Sequence, residues 1–242
     1  MKNKESNNNI VYEDKKIPDL MNGVFRPGGL ELTKSAVTRS GLAAGAKVLD
    51  IGCGSGKTVK FLRDELDLRA FGIDKAANMV EKGLAVDETL NLQVASADDL
   101  PFGDGCFDAV TAECVFCLLP DKLQALKEIS RVLKKDGLVI FSDMYLQRPS
   151  KGEVNLAGLT CMQSLMTKED IQALLTAGGF IEVDWIDCKN EYLGFLGELI
   201  FGFDSIEGFW QCLMGENGNA ELAKAQLEEK KISYYSGIWR KA

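Results

Sequence analysis

The stretch Val48-Leu49-Asp50-Ile51-Gly52-Cys53-Gly54-Ser55-Gly56 constrains this chain more than any other. A short apolar run ending in an acid reads as a buried strand, and it empties into glycines at alternate positions. Glycine reaches backbone angles closed to other residues and lets a ligand approach the main chain. Lys57–Glu65 then has helical spacing, so strand, loop and helix aim the loop at the carboxyl end of a sheet, where open α/β sheets bind ligands. A dinucleotide loop reads G-x-G-x-x-G, but here the third glycine, Gly56, arrives one residue early. A triphosphate loop fails too, because only three residues separate Gly52 from the Gly56-Lys57 pair where four are needed.

Downstream the rhythm repeats. Strands are expected at Lys47–Ile51, Arg69–Ile73, Leu92–Ala95, Phe107–Ala112, Leu138–Ser142, Phe180–Ile186 and Ile232–Arg240. Helices are expected at Leu30–Arg39, Lys57–Glu65, Ala76–Leu84, Asp121–Lys134 and Thr167–Ala177. Asp136-Gly137 should stop the fourth helix, and Thr167 with Asp170 should cap the fifth. Such alternation implies a doubly wound, mostly parallel α/β sheet with helices on both faces. Residues 1–45 read as an N-terminal arm or lid containing an Arg26-Pro27-Gly28-Gly29 turn, and 46–190 as the core. About 45 residues separate the last two strands, far more than a hairpin needs. Residues 191–231 are therefore expected to form a helical insertion, from apolar Leu193–Phe203 and charged Ala220–Lys231, with 232–242 as the final strand. Residues 147–166 form a second candidate insertion.

Composition narrows the chemistry. The 242 residues contain no histidine, which removes Ser-His-Asp and Cys-His hydrolysis and the commonest metal ligand. A net charge of −8, without a dense basic run, argues against nucleic acid as partner. No apolar run reaches the ~20 residues of a membrane span, and MKNKESNNNI lacks the apolar core of a signal peptide. Seven scattered cysteines then read as free thiols in a reducing cytoplasm.

Further motifs follow at regular intervals: Gly72-Ile73-Asp74, whose acid lies 22 residues after Gly52; Ala95 to Phe102 (ASADDLPF); Phe107 to Val110 (FDAV); and Glu128 to Gly137 (EISRVLKKDG). Together with VLDIGCGSG, this ordered set resembles the class I S-adenosylmethionine (SAM)-dependent methyltransferases, specifically the type 11, ubiquinone-biosynthesis-like group. The resemblance covers residues 46–145 in detail and 167–187 loosely. It implies a Rossmann-like seven-stranded fold, SAM as cofactor with S-adenosylhomocysteine as product, a small-molecule acceptor and no metal. It also implies that Asp50, Ile51, Gly52, Cys53, Gly54 and Gly56 cup the methionine end of SAM. Asp74, beside Lys75, would hold the ribose hydroxyls, and Ser96, Ala97 and Asp98 would flank adenine. The family often has Asp where Ser96 stands. Glu113 and Cys114 would face the methionine end or the acceptor. The Arg26 turn is similar to that of bacterial members whose arm closes over the site.

Blander roles stand beside these. Asp74 suits a helix cap, Asp98 and Asp99 suit solvent, and Cys114 and Cys117 suit two small apolar residues near a strand end. Arg26, Cys117 and Tyr145 are candidate acceptor-binding residues. Without histidine, a general base must come from Asp, Glu, Tyr or Cys, so Glu113, Asp143 and Tyr145 are the catalytic candidates. Phe195, Phe201, Phe203, Phe209 and Trp210 of the insertion would pack a cap or line an apolar pocket. Alternatives are a SAM-binding sensor or scaffold without catalysis, thiol-assisted methylation of a thiophilic substrate such as arsenite through Cys114, Cys117 and Cys161, a NAD-dependent oxidoreductase, and a nucleic-acid methyltransferase. The insertion serves either as a lid or as a homodimer surface.

Overall fold

In the computed structural model, which describes residues 24–149, 165–202, 205 and 231–242, strands and helices alternate through most of the core. The order is α1 (Gly29–Ser40), β1 (Lys47–Ile51), α2 (Lys57–Asp64), β2 (Arg69–Asp74), α3 (Ala77–Val86), β3 (Leu92–Val94) and β4 (Phe107–Glu113). After a 3-10 turn at Phe116–Leu118 come α4 (Lys122–Val132), β5 (Leu133–Leu146), α5 (Lys168–Ala177), β6 (Phe180–Asp187), α6 (Lys189–Gly202) and β7 (Ile232–Lys241). One seven-stranded sheet runs β3-β2-β1-β4-β5-β7-β6. All pairings are parallel except those of β7, which is antiparallel to both neighbours. The chain winds outward from β1 through β2 to β3, then crosses back to β4 on the other side of β1. That reversal opens a crevice at the carboxyl ends of β1 and β4.

Period-two alternation divides the strands between two cores. Leu49, Ile51, Val110, Val139, Phe141, Tyr145 and Tyr235 face α4 and α5, meeting Leu126, Ile129, Ile171 and Leu175. Val48, Ala109, Ile140 and Ile238 face α1 and α2, meeting Ala36, Val37, Val59 and Leu62. The expected cap of α5 is present in full: Thr167 Oγ1 accepts from Asp170 N–H, and the Asp170 carboxylate accepts from Thr167 N–H.

One boundary differs from expectation. Helix α4 stops at Val132 instead of Lys134, and β5 runs from Leu133 to Leu146 instead of Leu138–Ser142. Leu133, fully buried, pairs with Phe107, and Leu138 pairs with Ala109, so a bulge absorbs Lys134–Gly137 with Asp136 at φ 60°. At the other end the β7 ladder carries the strand on, from Leu138↔Arg240 to Leu146↔Ile232. Of the expected insertion, α6 supplies the helical start. Phe203, Phe209, Trp210 and residues 220–230 lie outside the described residues, as do 1–23 of the arm and 150–164. No helix among the described residues is long and apolar enough to cross a membrane.

Candidate cofactor and active site

The glycine loop is held from behind by β2. Gly52 and Cys53 both donate their N–H to Ile73 O, Gly54 N–H donates to Asp74 Oδ2 at 2.8 Å, and Gly56 N–H donates to Cys53 O. These donors are spent on the protein, so they do not form the ring of free N–H groups that cradles a phosphate. The glycines differ in role. Gly52 and Gly56, at φ 72° and 77°, have no room for a side chain: a Cβ would run into Val115 at the first and Leu92 at the second. Gly54, at φ 54°, is open, its nearest contact being Met79 Cε at 3.7 Å. Only Gly54 of the three turns unfilled space outward from the loop.

Asp74 serves as a tie between elements, while the N-cap position of α3 falls to Ala76, which has no side-chain cap bond. Asp74 Oδ2 takes Gly54 N–H and Oδ1 takes Ala76 N–H at 2.9 Å, tying the end of β2 to the loop and to the start of α3. Cys53 is buried and packs on Gly72 with its thiol, which burial pushes well above the ordinary range. Lys75, Ser96 and Asp98 are exposed, while Ala97 is buried beneath them.

Deeper lies a set of charges. Asp50 is buried and accepts from Thr111 Oγ1 at 2.8 Å. Burial first, and then the carboxylate of Glu113, push its carboxyl up to about 7. Glu113 Oε1 accepts from Thr33 Oγ1 at 2.8 Å, and Oε2 lies 2.6 Å from Arg26 Nη2. That Nη2 also donates to Thr33 and Thr58. The ion pair is close but off the hydrogen-bond axis, so Glu113 Oε2 and Arg26 Nε are buried without a bonded partner. Burial works against the Arg26 charge, but the fields of Glu113, Tyr234, Asp50 and Cys114 outweigh it and raise its pKa. The Arg26-Pro27-Gly28-Gly29 turn, closed by Gly29 N–H to Arg26 O, delivers this guanidinium from the arm.

The remaining candidates separate by face. Asp50 pairs with Thr111, Glu113 with Ser142, and Tyr234 with Met144, all on the α1 face of the sheet. There Tyr234 OH lies 3.2 Å from Cys114 Sγ and donates to Ser142 Oγ at 3.1 Å. Cys114 itself sits at φ 57°, which is rare for a residue with a side chain. Asp143 and Tyr145 point the other way, to the α4 face. Asp143 spends Oδ2 on Cys117 N–H and Oδ1 on Met144 N–H, and burial pushes its carboxyl up to about 6. Tyr145 is packed edge-on against Trp185 and Tyr235, and burial followed by the field of Asp187 pushes its phenol up to about 12. The structure therefore brings Arg26, Asp50, Glu113 and Cys114 together, and puts Asp143, Cys117 and Tyr145 on the opposite face as anchors of the 3-10 turn and the core. Cys114 and Cys117 engage different partners. Cys161 lies outside the described residues, and among the described residues no group of three or more Cys, Asp or Glu side chains is arranged to hold a metal.

Sequence reading missed Thr33, Thr58, Thr111 and Tyr234, the polar lining of the buried charges. No local motif marks them, but the pairing register does: Thr111 falls opposite Asp50, two residues before Glu113 and on the same face.

Comparison with known proteins agrees with this geometry. Residues 49–141 match the family described as methyltransferase domain. O-methyltransferase cnsE of Penicillium expansum is 30% identical over 170 residues, covering 67% of this chain and 62% of that protein. Phosphoethanolamine N-methyltransferase 1 of Arabidopsis thaliana is 28% identical over 178 residues, 71% of this chain and 36% of that protein. The chain thus spans less than two thirds of these relatives. Among solved structures, phosphoethanolamine N-methyltransferase 2 of Haemonchus contortus in complex with SAM superposes with a TM-score of 0.75 at 20% identity, covering 93% of this chain and 56% of that one. The cyclase SpnF superposes with a TM-score of 0.68 at 22% identity, covering 87% and 80%. At these identities the structural likeness establishes the fold.

Proposed function

We propose that this protein transfers the methyl group of SAM to a small-molecule acceptor, a reading that rests on the match of residues 49–141 to a methyltransferase domain and on a fold shared with a SAM-bound methyltransferase. One observation carries the reading. The N–H groups of Gly52, Cys53, Gly54 and Gly56 are taken up by the protein, and three carboxylates, Asp50, Asp74 and Glu113, gather around the loop. Such a site repels a pyrophosphate and suits a ligand bearing cationic groups, which SAM has in its sulfonium and its α-ammonium. The orphaned Nε of Arg26 fits the carboxylate of the same amino-acid end, and the open face of Gly54 gives main chain for it to lie against. Asp74, with Lys75 beside it, would receive the ribose, and Ser96, Ala97 and Asp98 the adenine.

When bound, SAM supplies an activated methyl group whose sulfonium leaving group needs no proton. The protein's work is then to hold donor and acceptor in line and to exclude water. Cys114, Ser142 and Tyr234 form the polar wall beside Glu113 and are the groups nearest to hand for an acceptor. Both O-methyl and N-methyl acceptors suit this reading, because relatives named for each match the chain. We place the protein in a reducing cytoplasm, a setting that suits its seven scattered cysteines. The exposed Leu193, Ile200 and Phe201 of α6 are surface that a second copy would cover in a homodimer.

A second reading is chemistry on the same fold without methyl transfer, which the likeness to the cyclase SpnF keeps open. The two separate when protein is incubated with SAM labelled at its methyl and a panel of phenols, amino alcohols and thiols. Label in a product supports methyl transfer. Tight SAM binding without label in any product supports the second reading.

A further inference from the structure

Where β1 and β4 end, the carboxylates of Asp50 and Glu113 act on the guanidinium of Arg26, and Asp74 at the end of β2 adds its field at Asp50. The Arg26 and Glu113 side chains are only 9% and 8% exposed, and each keeps a buried polar atom, Nε and Oε2, without a bonded partner. Asp50 lies deeper still, and the Thr111 hydroxyl bonds its carboxyl. These unspent groups point to a charged ligand. They also leave the ligand-free cluster with more buried negative charge than one arginine balances, an expensive state.

We infer that Asp50 carries a proton in the ligand-free site and gives it up when the donor's α-ammonium group arrives, so that the site selects an amino-acid-bearing donor by exchanging one positive charge for another. The inference rests on the SAM reading above and deepens it. In the exchange the Asp50 O–H bond breaks, the proton leaves to solvent, and the carboxylate faces the ammonium. At Asp50 itself one cation replaces one proton, while the ligand's carboxylate falls to Arg26, which is why the exchange is cheaper than bringing an ammonium beside an already charged arginine with no proton released.

The groups facing Asp50 agree in sign. Burial and the neighbouring Glu113 favour the protonated form, with Asp74 adding to them. Thr111 and Arg26 oppose, and the result is a carboxyl near 7. The Cys53 thiol of the loop is itself pushed up by burial and by Asp50, and so stays neutral. Cys114 and Tyr234 lie beyond Arg26, where Tyr234 is also held neutral by burial. A group protonated in the free site and ionised in the complex weakens binding below its free-site pKa, by at most about tenfold per pH unit.

The test is calorimetric titration with S-adenosylhomocysteine, which keeps the ammonium, and with methylthioadenosine, which lacks the amino-acid group. Titrations run from pH 5.5 to 7.5 in buffers of different ionisation enthalpy. We expect release of close to one proton near pH 6 with S-adenosylhomocysteine and none with methylthioadenosine. Affinity for S-adenosylhomocysteine should rise on the order of twentyfold across that range. Asp50→Asn should flatten the profile. Thr111→Val, which removes a bond favouring the ionised form, should move the midpoint to higher pH. A flat profile in the native protein, or equal proton release with both ligands, overturns the inference while leaving SAM binding intact. Failure of both ligands to bind at any pH refutes the SAM reading and this inference with it.

Discussion

The buried pair of Arg26 and Glu113 gives the sharpest prediction about the fold of the site. Arg26→Met keeps the length and apolar stem of the side chain but removes its charge. Glu113 is then left at 8% exposure facing Asp50, with Thr33 as its remaining donor. Stranding one partner of a buried pair costs about 3–5 kcal/mol. The surviving Thr33 bond puts this case at the lower end, about 3 kcal/mol. For a chain of this size that corresponds to a fall in Tm of roughly 6–12 °C. Removing both charges in Arg26→Met/Glu113→Gln should recover most of the loss, because no ion is then buried alone. Urea unfolding of ligand-free protein, followed by the fluorescence of buried Trp239 and half-buried Trp185, gives the full double-mutant cycle. A single variant within about 0.5 kcal/mol of native, or a double variant no more stable than the single, would refute the claim that the pair is desolvated and coupled.

The loop glycines should separate cleanly. Gly52→Ala drives a Cβ into Val115 and should destabilise the fold by several kcal/mol in thermal melts, on the order of an overpacked core site with added backbone strain. Gly54→Ala, strained by its positive φ but open in space, should cost only about 1–2 kcal/mol while weakening SAM binding in titrations. Thr167→Ala removes the capping box of α5 and should cost about 1 kcal/mol in urea unfolding. Asp50 and Asp143 are raised to about 7 and about 6 in the fold, so the native state holds protons that the unfolded chain has released. Their contribution to stability therefore falls as pH rises from about 4 to 7, and Asp50→Asn should flatten that part of the stability–pH curve.

Much of the architecture was legible because each strand-to-helix switch carries its own signal. Val48–Gly56, Gly72-Ile73-Asp74 and the Thr167–Asp170 cap are local, and each proved to be a strand end or a helix start. The α4–β5 junction was not. Leu133 continues the helical spacing of Leu126 and Ile129, yet the core places it opposite Phe107 in the sheet, a tertiary pairing that outweighs local period. In the site, Asp50, Asp74, Glu113 and Arg26 were named from motif and turn, and they come together. Asp143 and Tyr145 were grouped with Glu113 because all follow strand ends. Register separates them, since Glu113 pairs with Ser142 and the next residue must point to the other face. Tyr234, 120 residues from Cys114, became visible only once β7 inserted antiparallel beside β5.

The central claim is that the loop from Gly52 to Gly56 and the carboxylates around it form a SAM site. Calorimetric titration of the purified protein with SAM, and separately with NAD, tests it most directly, using Asp74→Asn to weaken the acid that ties β2 to the loop. The expected result is SAM binding that falls markedly in Asp74→Asn, and no NAD binding. NAD binding, or SAM binding indifferent to Asp74, would contradict the account.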